Sequence, residues 1–456
     1  MTKSKSPARK TKSKSPARKT KTKSKSPARK TKTKSKSQAK FRFGVSDEKR
    51  INKKILKSDL KFEFDENTIK DQIVTVKRNP PNSASPTHIY EMVLKDLRNV
   101  YMKVFVDENF RITPNSSEQT PNLVYEYYVY LLKIKYLSLV SPNFVSPISG
   151  KLGLQNDQIV DIISGKVVDE KTPTIKVTDV VLQKSFKKLS DEFFVRHKKS
   201  IQPTTYGYII TGPTLADFKN LKSVSKLSDF VIQARFNAKN LWPITAQLAC
   251  ACYCMYIAGV NHNDMHIGNI LIYEYEDPKN IEYDFSPNIA MQMKFSTNYI
   301  VKIYDFDRAT MKCNVLPRDC ENDLNRVAAG GMDNNVYELK DFMKVLCYIR
   351  TLYKDVLDMV LNNKDKPYFD ILFLDHTGEK CFFFDASHNP VYESLERGGD
   401  GYRYFKGYNE IFHYIKAKLI NSKLTKPDPN IHYDLYKISK DQIHTDIESY
   451  DNVLRR

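Results

Sequence analysis

Apolar and polar residues alternate over Ile73–Lys77, His88–Leu94 and Asn99–Val106. A period of two predicts half-buried strands there. The period lengthens over Asn122–Tyr136, where Leu123, Tyr127, Tyr130, Leu131 and Ile134 recur at helical spacing behind Pro121. From Ser141 to about Gln202 the pattern breaks up, and Pro142, Pro147, Gly150, Gly153 and Gly165 predict an irregular, loop-rich stretch. Tyr206–Thr211 reads as an apolar strand that stops at Gly212-Pro213. Leu241–Ile257 reads as a helix, with Ile244, Leu248, Ala251, Met255 and Ala258 on one face. Leu271–Tyr275 and Tyr299–Tyr304 are short apolar strands, and Tyr337–Leu352 and Tyr353–Leu361 are helical. Strands first and helices later predict an α+β fold.

Charge separates the first residues from the rest. The 456 residues carry a formal charge of +20, yet residues 1–43 hold 18 Lys or Arg and no Asp or Glu. Residues 44–456 are left with 55 basic against 53 acidic side chains. The leading segment repeats one unit: Thr2–Lys10 and Thr11–Lys19 read TKSKSPARK, Thr20–Lys30 reads TKTKSKSPARK, and Thr31–Lys40 decays to TKTKSKSQAK. Nothing in it buries apolar area to offset the entropy of ordering, so residues 1–40 are expected to be a disordered tail. Dense positive charge suits non-specific binding of nucleic acid through its phosphates, with affinity falling in salt. Ser6, Ser15 and Ser26 each precede Pro and suit a proline-directed kinase, whose phosphates would cancel that charge. A tail that only keeps the chain soluble or directs it to the nucleus is the plain alternative.

The seven cysteines are Cys250, Cys252, Cys254, Cys313, Cys320, Cys347 and Cys381. An odd number in a long chain with no secretory leader predicts free thiols in a reducing, intracellular compartment, not a secreted protein. Cys250, Cys252 and Cys254 point to different faces of a helix and are expected to be core packing, not zinc ligands. No apolar run reaches the length of a bilayer span, so no membrane partner is expected.

The candidate chemistry lies in two segments. Val260-Asn-His-Asn-Asp-Met-His-Ile-Gly-Asn-Ile-Leu-Ile272 links a helix to a strand and holds His262, Asp264, His266 and Asn269. Ile303-Tyr-Asp-Phe-Asp-Arg308 ends the next apolar strand and holds Asp305. The first resembles the catalytic loop of the protein-kinase superfamily, His-x-Asp followed by four residues and Asn; the second resembles its Asp-Phe-Gly motif. The resemblance implies a bilobal protein-kinase-like fold, with an antiparallel-sheet N-lobe over residues 41–211 and a mainly helical C-lobe over 212–456. An insertion in the N-lobe is expected near residues 141–202, and a second near 275–297. The resemblance also implies an ATP- and Mg²⁺-dependent phosphotransferase with Asp264 as base, His266 beside the transferred group, and Asn269 and Asp305 as metal ligands. Lys103, in Val100-Tyr-Met-Lys-Val-Phe-Val106, is then the phosphate-holding lysine, with Lys95 as its rival. Glu126 becomes its ion-pair partner, and the backbone at Thr211 and Gly212 meets the adenine.

Several departures widen the range of outcomes. No glycine occurs between Val45 and Ser149, so Asn82-Ser-Ala-Ser85 stands where a glycine-rich loop would be. Asp307 replaces the glycine of Asp-Phe-Gly, no Ala-Pro-Glu follows, and His266 replaces the usual lysine. A Ser/Thr protein kinase is the leading expectation. A small-molecule kinase of the same fold, and a pseudokinase scaffold with a nucleic-acid-binding tail, are the alternatives. The tail together with a divergent kinase domain resembles the kinases of large cytoplasmic DNA viruses, the iridescent viruses. That likeness implies residence in the host cytoplasm, nucleus or virion.

Overall fold

The computed structural model describes residues 62–79, 87–107, 123–169, 172–196, 205–233, 235, 237–311, 339, 341–342, 344–346, 349, 407–421 and 432–439. The repeat tail, the Asn82–Ser85 segment, the helix expected at Tyr353–Leu361, most of that at Tyr337–Leu352, and Cys313, Cys320, Cys347 and Cys381 lie outside the described residues.

Six strands make the first sheet: β1 (Ile73–Arg78), β2 (Thr87–Leu94), β3 (Asn99–Val106), β4 (Ser146–Leu154), β5 (Val167–Val168) and β6 (Tyr206–Gly212), in the order β4-β6-β3-β2-β1-β5. All pairs are antiparallel except β1 with β5. The predicted alternation sorts its two faces. Tyr90, Met92 and Leu94 of β2, Val100, Met102 and Val104 of β3, and Tyr208 and Ile210 of β6 pack on one side. That side is covered by α1 (Glu66–Gln72), α4 (Asn156–Ile163) and α5 (Asp179–Arg196), through Ile69, Ile159, Ile163, Leu182, Phe186, Leu189 and Phe193. Phe105 and Ile209 face the other way, into a second and larger core.

The stretch expected to be irregular therefore holds two strands of this sheet and two helices. Its loop signals have other causes. Gly150 lies inside β4, where an added Cβ would stand 3.0 Å from Tyr127 and 3.1 Å from Phe62, so the glycine permits close packing. Pro147 sits at a register shift in the β4–β6 ladder, where a missing N–H is tolerated. The helix expected over Asn122–Tyr136 begins at Leu123 and runs to Val140: α2 (Leu123–Val129), a π-helical turn (Tyr130–Ile134) and α3 (Lys135–Val140). Neither Gly nor Pro stops it before Pro142.

A second sheet joins β7 (Leu221–Lys226), β9 (Ile270–Asp284), β10 (Gln292–Ile303) and β12 (Asp434–Lys437), with β9 in the middle. The strands expected at Leu271–Tyr275 and Tyr299–Tyr304 prove to be parts of one long hairpin, paired from Ile270↔Ile303 to Asp284↔Gln292. The residues near 275–297, where an insertion was expected, form the outer part of that hairpin. Its turn signal, Asp277-Pro278, falls at a bulge between the pairs Tyr299↔Glu274 and Thr297↔Lys279. Strands and helices take comparable lengths among the described residues after Gly212, which corrects the expected mainly helical second lobe for those residues.

Four helices accompany this sheet among the described residues: α6 (Leu215–Phe218), α7 (Leu227–Ile232), α8 (Ala238–Ile257) and α9 (Tyr408–Asn421). Helix α8 is apolar nearly all round and runs through the larger core. Its Cys250, Cys252 and Cys254 are buried free thiols, as core packing requires. Burial pushes the pKa of all three up, so they are poor nucleophiles. Among the described residues, no helix is long and apolar enough to cross a membrane.

Candidate functional site

Lys103 sits in the middle of β3, and its ammonium reaches three carboxylate oxygens. It donates to Glu126 Oε2 at 2.8 Å and Oε1 at 3.1 Å, and to Asp305 Oδ1 at 2.8 Å. The Glu126 side chain is only 2% exposed. Lys95, the rival, lies exposed in the β2–β3 turn, its backbone N–H donating to Gln72 O. Cross-strand pairing decides between the two, since Lys103 opposes Ile209 and shares its face with the larger core.

Asp305 follows β10 with φ +66°, a left-handed conformation that Asp tolerates better than most residues. Its backbone N–H donates to Tyr130 Oη at 3.2 Å. Tyr130 opens the π-helical turn, so that irregularity places its ring over the Asp305 strand end, where it meets Phe306 edge-on at 5.3 Å. Phe306 is fully buried and also lies tilted against His262, ring centroids 4.7 Å apart.

The Asp264 loop leaves the short strand β8 (Val260–Asn261), which pairs with β11 (Thr310–Met311). Asp341 holds it from below: His262 N donates to Oδ2 at 2.7 Å and Asn263 N to Oδ1 at 3.1 Å. Asn263, at φ +62°, donates through its amide to Arg308 O at 3.0 Å and Thr310 Oγ1 at 3.1 Å. His262 Nε2 lies 3.0 Å from Tyr304 O and must donate, because a carbonyl only accepts. The Asn269 amide donates to Asp264 O at 3.0 Å, Tyr304 N donates to Asn269 O at 3.2 Å, and Tyr304 Oη donates to Gly268 O at 2.6 Å. The Asp264 loop and the Asp305 strand end are therefore one hydrogen-bonded unit.

Three cationic or protonatable groups surround the Asp264 carboxylate: His266 Nε2 at 3.6 Å, Arg308 Nε at 3.9 Å and Lys344 Nζ at 4.0 Å. Burial pushes its pKa up, but the nearby His266 ring and Arg308 guanidinium outweigh that and hold it well below the ordinary carboxylate range. Gly268 N donates to His266 Nδ1 at 3.0 Å, which leaves the proton of a neutral ring on Nε2, the nitrogen facing Asp264.

The charges around Lys103 do not balance. Glu126, Asp305 and Asp307 share one ammonium, a net −2 if all ionise. Lys103 is held well above its ordinary pKa, because the carboxylates outweigh the burial that lowers it. Asp305 is held low by Lys103 in spite of its burial. Burial, with repulsion from Asp305, raises Glu126 to about 7 and Asp307 well above the carboxylate range. A divalent cation bound here would relieve this excess. The hard oxygens of Asp305 and Asn269 suit Mg²⁺. Among the described residues, no three His, Cys, Asp or Glu side chains stand together as a complete metal site, so the remaining ligands would come from water or a bound phosphate.

Thr211 and Gly212 end β6. Thr211 pairs with Tyr101, two residues along from the Lys103↔Ile209 pair, so Thr211 and Lys103 occupy the same sheet face about 7 Å apart. Gly212 approaches β3 so closely that an added Cβ would lie 2.8 Å from Val100 Cγ1. The structure thus brings Lys103, Glu126 and Asp305 into contact. It joins Asp264, His266 and Asn269 in one loop beside them, and sets Thr211 further along the same face, while Gly212, the next residue of the strand, turns to the opposite face against Val100. Asp341, Lys344, Arg308 and Tyr130 belong to the site but were not singled out from the sequence. None lies in a recognisable motif, although Arg308 directly follows one.

No family model and no curated protein matches this sequence. Among solved structures the chain is similar to WaaP in complex with acyl carrier protein, at 12% identity over 67% of this chain and 92% of that one, with a TM-score of 0.27. A likeness at that score bears no weight, and the functional assignment rests on the residues. What they define is a mixed α+β domain with a lysine–carboxylate centre at the junction of two hydrogen-bonded loops.

Proposed function

We propose that this chain is a phosphotransferase of the protein-kinase kind, moving the γ-phosphoryl group of ATP to a hydroxyl, with a protein Ser or Thr as the acceptor. The observation that carries this is the Lys103 ammonium, which bonds both Glu126, 23 residues away, and Asp305, 202 residues away in sequence. Glu126 fixes the lysine, whose charge is then available to nucleotide phosphates. Asp305 and the Asn269 amide oxygen would hold Mg²⁺, which when bound supplies positive charge to the phosphates. Asp264 stays ionised and takes the proton of the acceptor hydroxyl as that oxygen bonds to phosphorus and the bond to the departing ADP oxygen breaks. His266 orients the carboxylate through Nε2, and Arg308 and Lys344 keep it anionic. The backbone at Thr211 and Gly212 would meet the adenine.

The test is incubation of the full chain with labelled ATP and Mg²⁺, alone and with candidate acceptors. Label on protein is the expected result; label only on small molecules moves the acceptor to metabolites, which His266 in place of the usual lysine favours. Asp264→Asn should stay folded and lose about 10²–10⁴-fold in rate. Equal rates for Asp264→Asn and the unaltered chain would remove Asp264 from its role.

A further inference from the structure

On the face of the first sheet turned away from Lys103, three side chains bring polar atoms together beneath α5. Arg78 ends β1 and pairs across the sheet with Tyr90 of β2, and His88 lies two residues from Tyr90 on the same face. The His88 and Tyr90 rings meet edge-on at 6.4 Å, and both lie against Phe186 of α5, at 5.7 and 6.3 Å. Tyr90 is fully buried and His88 is 6% exposed. Arg78 is half-buried; it donates to Ser185 Oγ of α5 at 3.0 Å and meets His88 Nε2 at 3.0 Å.

The unpartnered atoms of this cluster are all donors. Arg78 Nε, His88 Nδ1 and Tyr90 Oη are buried without a hydrogen-bond partner. A guanidinium only donates, so His88 Nε2 accepts from Arg78 and the proton of the neutral ring sits on Nδ1. Burial, with the Arg78 and Lys188 charges, holds the His88 pKa down at about 3, which keeps the ring neutral. Burial likewise keeps the Tyr90 phenol protonated. The charge is as one-sided as the donors. Among the described residues Arg78 bonds a hydroxyl and an imidazole and no carboxylate. The other cation acting on His88 is Lys188 of α5, whose side chain is 76% exposed and pairs loosely with Glu192 at 3.6 Å.

Buried donors without acceptors are costly, and native proteins seldom gather several in one place. A water molecule would bring two more donors and no charge to a patch that lacks acceptors and anions. An oxyanion brings only acceptors, and a counter-charge for the guanidinium. The rings close the inner side and half-buried Arg78 gives the way in, which suits a free ion and not a group carried on a chain. We propose that Arg78, His88 and Tyr90 form a binding site for a small inorganic oxyanion of the phosphate class, which ties α5 to the outer face of the first sheet. The ion accepts from Arg78 Nε, His88 Nδ1 and Tyr90 Oη, and Lys188 adds charge from the helix. The site lies behind β3, on the opposite face from Lys103, and is independent of the phosphotransferase assignment.

The test measures the affinity of inorganic phosphate for the full chain through its effect on urea unfolding, with chloride at matched ionic strength as the reference. Arg78→Met, Tyr90→Phe and Lys103→Met are compared, far-UV circular dichroism confirming the fold of each. Phosphate should stabilise the unaltered chain saturably and beyond chloride. Arg78→Met and Tyr90→Phe should each bind it about tenfold more weakly, and Lys103→Met within about twofold of the original. Tyr90→Phe removes one hydroxyl and decides alone if Arg78→Met does not fold. Phosphoserine should bind at least about tenfold more weakly than phosphate. No stabilisation beyond chloride overturns the site and leaves water as the partner of these donors. Undiminished binding by Tyr90→Phe overturns it too, as does loss of binding in Lys103→Met, which would move the ion to the Lys103 centre. Phosphoserine binding as tightly as phosphate would overturn the assignment of a free ion.

Discussion

Glu126→Gln separates the stability of the Lys103 centre from its function. Glu126 is almost wholly buried and holds its proton up to about 7, against an ordinary 4.5, because burial and Asp305 together outweigh the help of Lys103. Between those two values the folded chain keeps a proton that the unfolded chain has released. This contribution to stability is intact below about pH 4.5 and is lost as pH rises through 7. The difference is worth roughly 2 to 3 kcal/mol between pH 5 and pH 8. Glutamine has the shape of the protonated acid and does not titrate. The variant and the unaltered chain should be nearly equally stable at pH 5, and the variant should gain roughly 2 to 3 kcal/mol relative to the unaltered chain by pH 8. Urea unfolding followed by circular dichroism at the two pH values measures the double difference. Phosphoryl transfer should fall in the same variant, since Lys103 loses a ligand that fixes it. A variant that becomes less stable relative to the unaltered chain as pH rises would show that Lys103 wins over burial at Glu126, and would refute the charge imbalance described for this centre.

Lys103→Met should remove the thermal stabilisation by Mg-ATP, expected to be about 2.7 kcal/mol at a hundred times the dissociation constant in the unaltered chain; a shift of the same size in the variant would exclude Lys103 from the nucleotide site. Asp341→Ala leaves the buried N–H groups of His262 and Asn263 without acceptors and should cost about 2 to 4 kcal/mol in urea unfolding, with transfer activity falling further than stability alone explains. Deleting residues 1–40 removes 17 basic side chains and should abolish the steep salt dependence of duplex DNA binding measured by fluorescence anisotropy; an unchanged slope would place nucleic-acid contacts elsewhere.

Local pattern determined much of this protein. Strand β3 was readable to the residue, because alternation on a half-buried sheet is a local property. The Asp264 loop and the Asp305 strand end were legible because each packs its chemistry into a few consecutive residues. The pairing of Lys103 with Glu126 could be guessed from the order of the elements, but the choice over Lys95 needed the register that turns Lys103 inward. Tertiary contacts alone decided the rest. Pro147, Gly150 and Pro278 look like turn residues in one dimension and sit in strands in three, because bulges and close ring packing absorb what a free strand could not. Asp341 and Arg98 carry no local signature, since their partners lie 78 and more residues away for the one and as many as 115 for the other. A sequence shows which groups a segment offers; which of them are dehydrated, and against what, is fixed only when distant segments close over them.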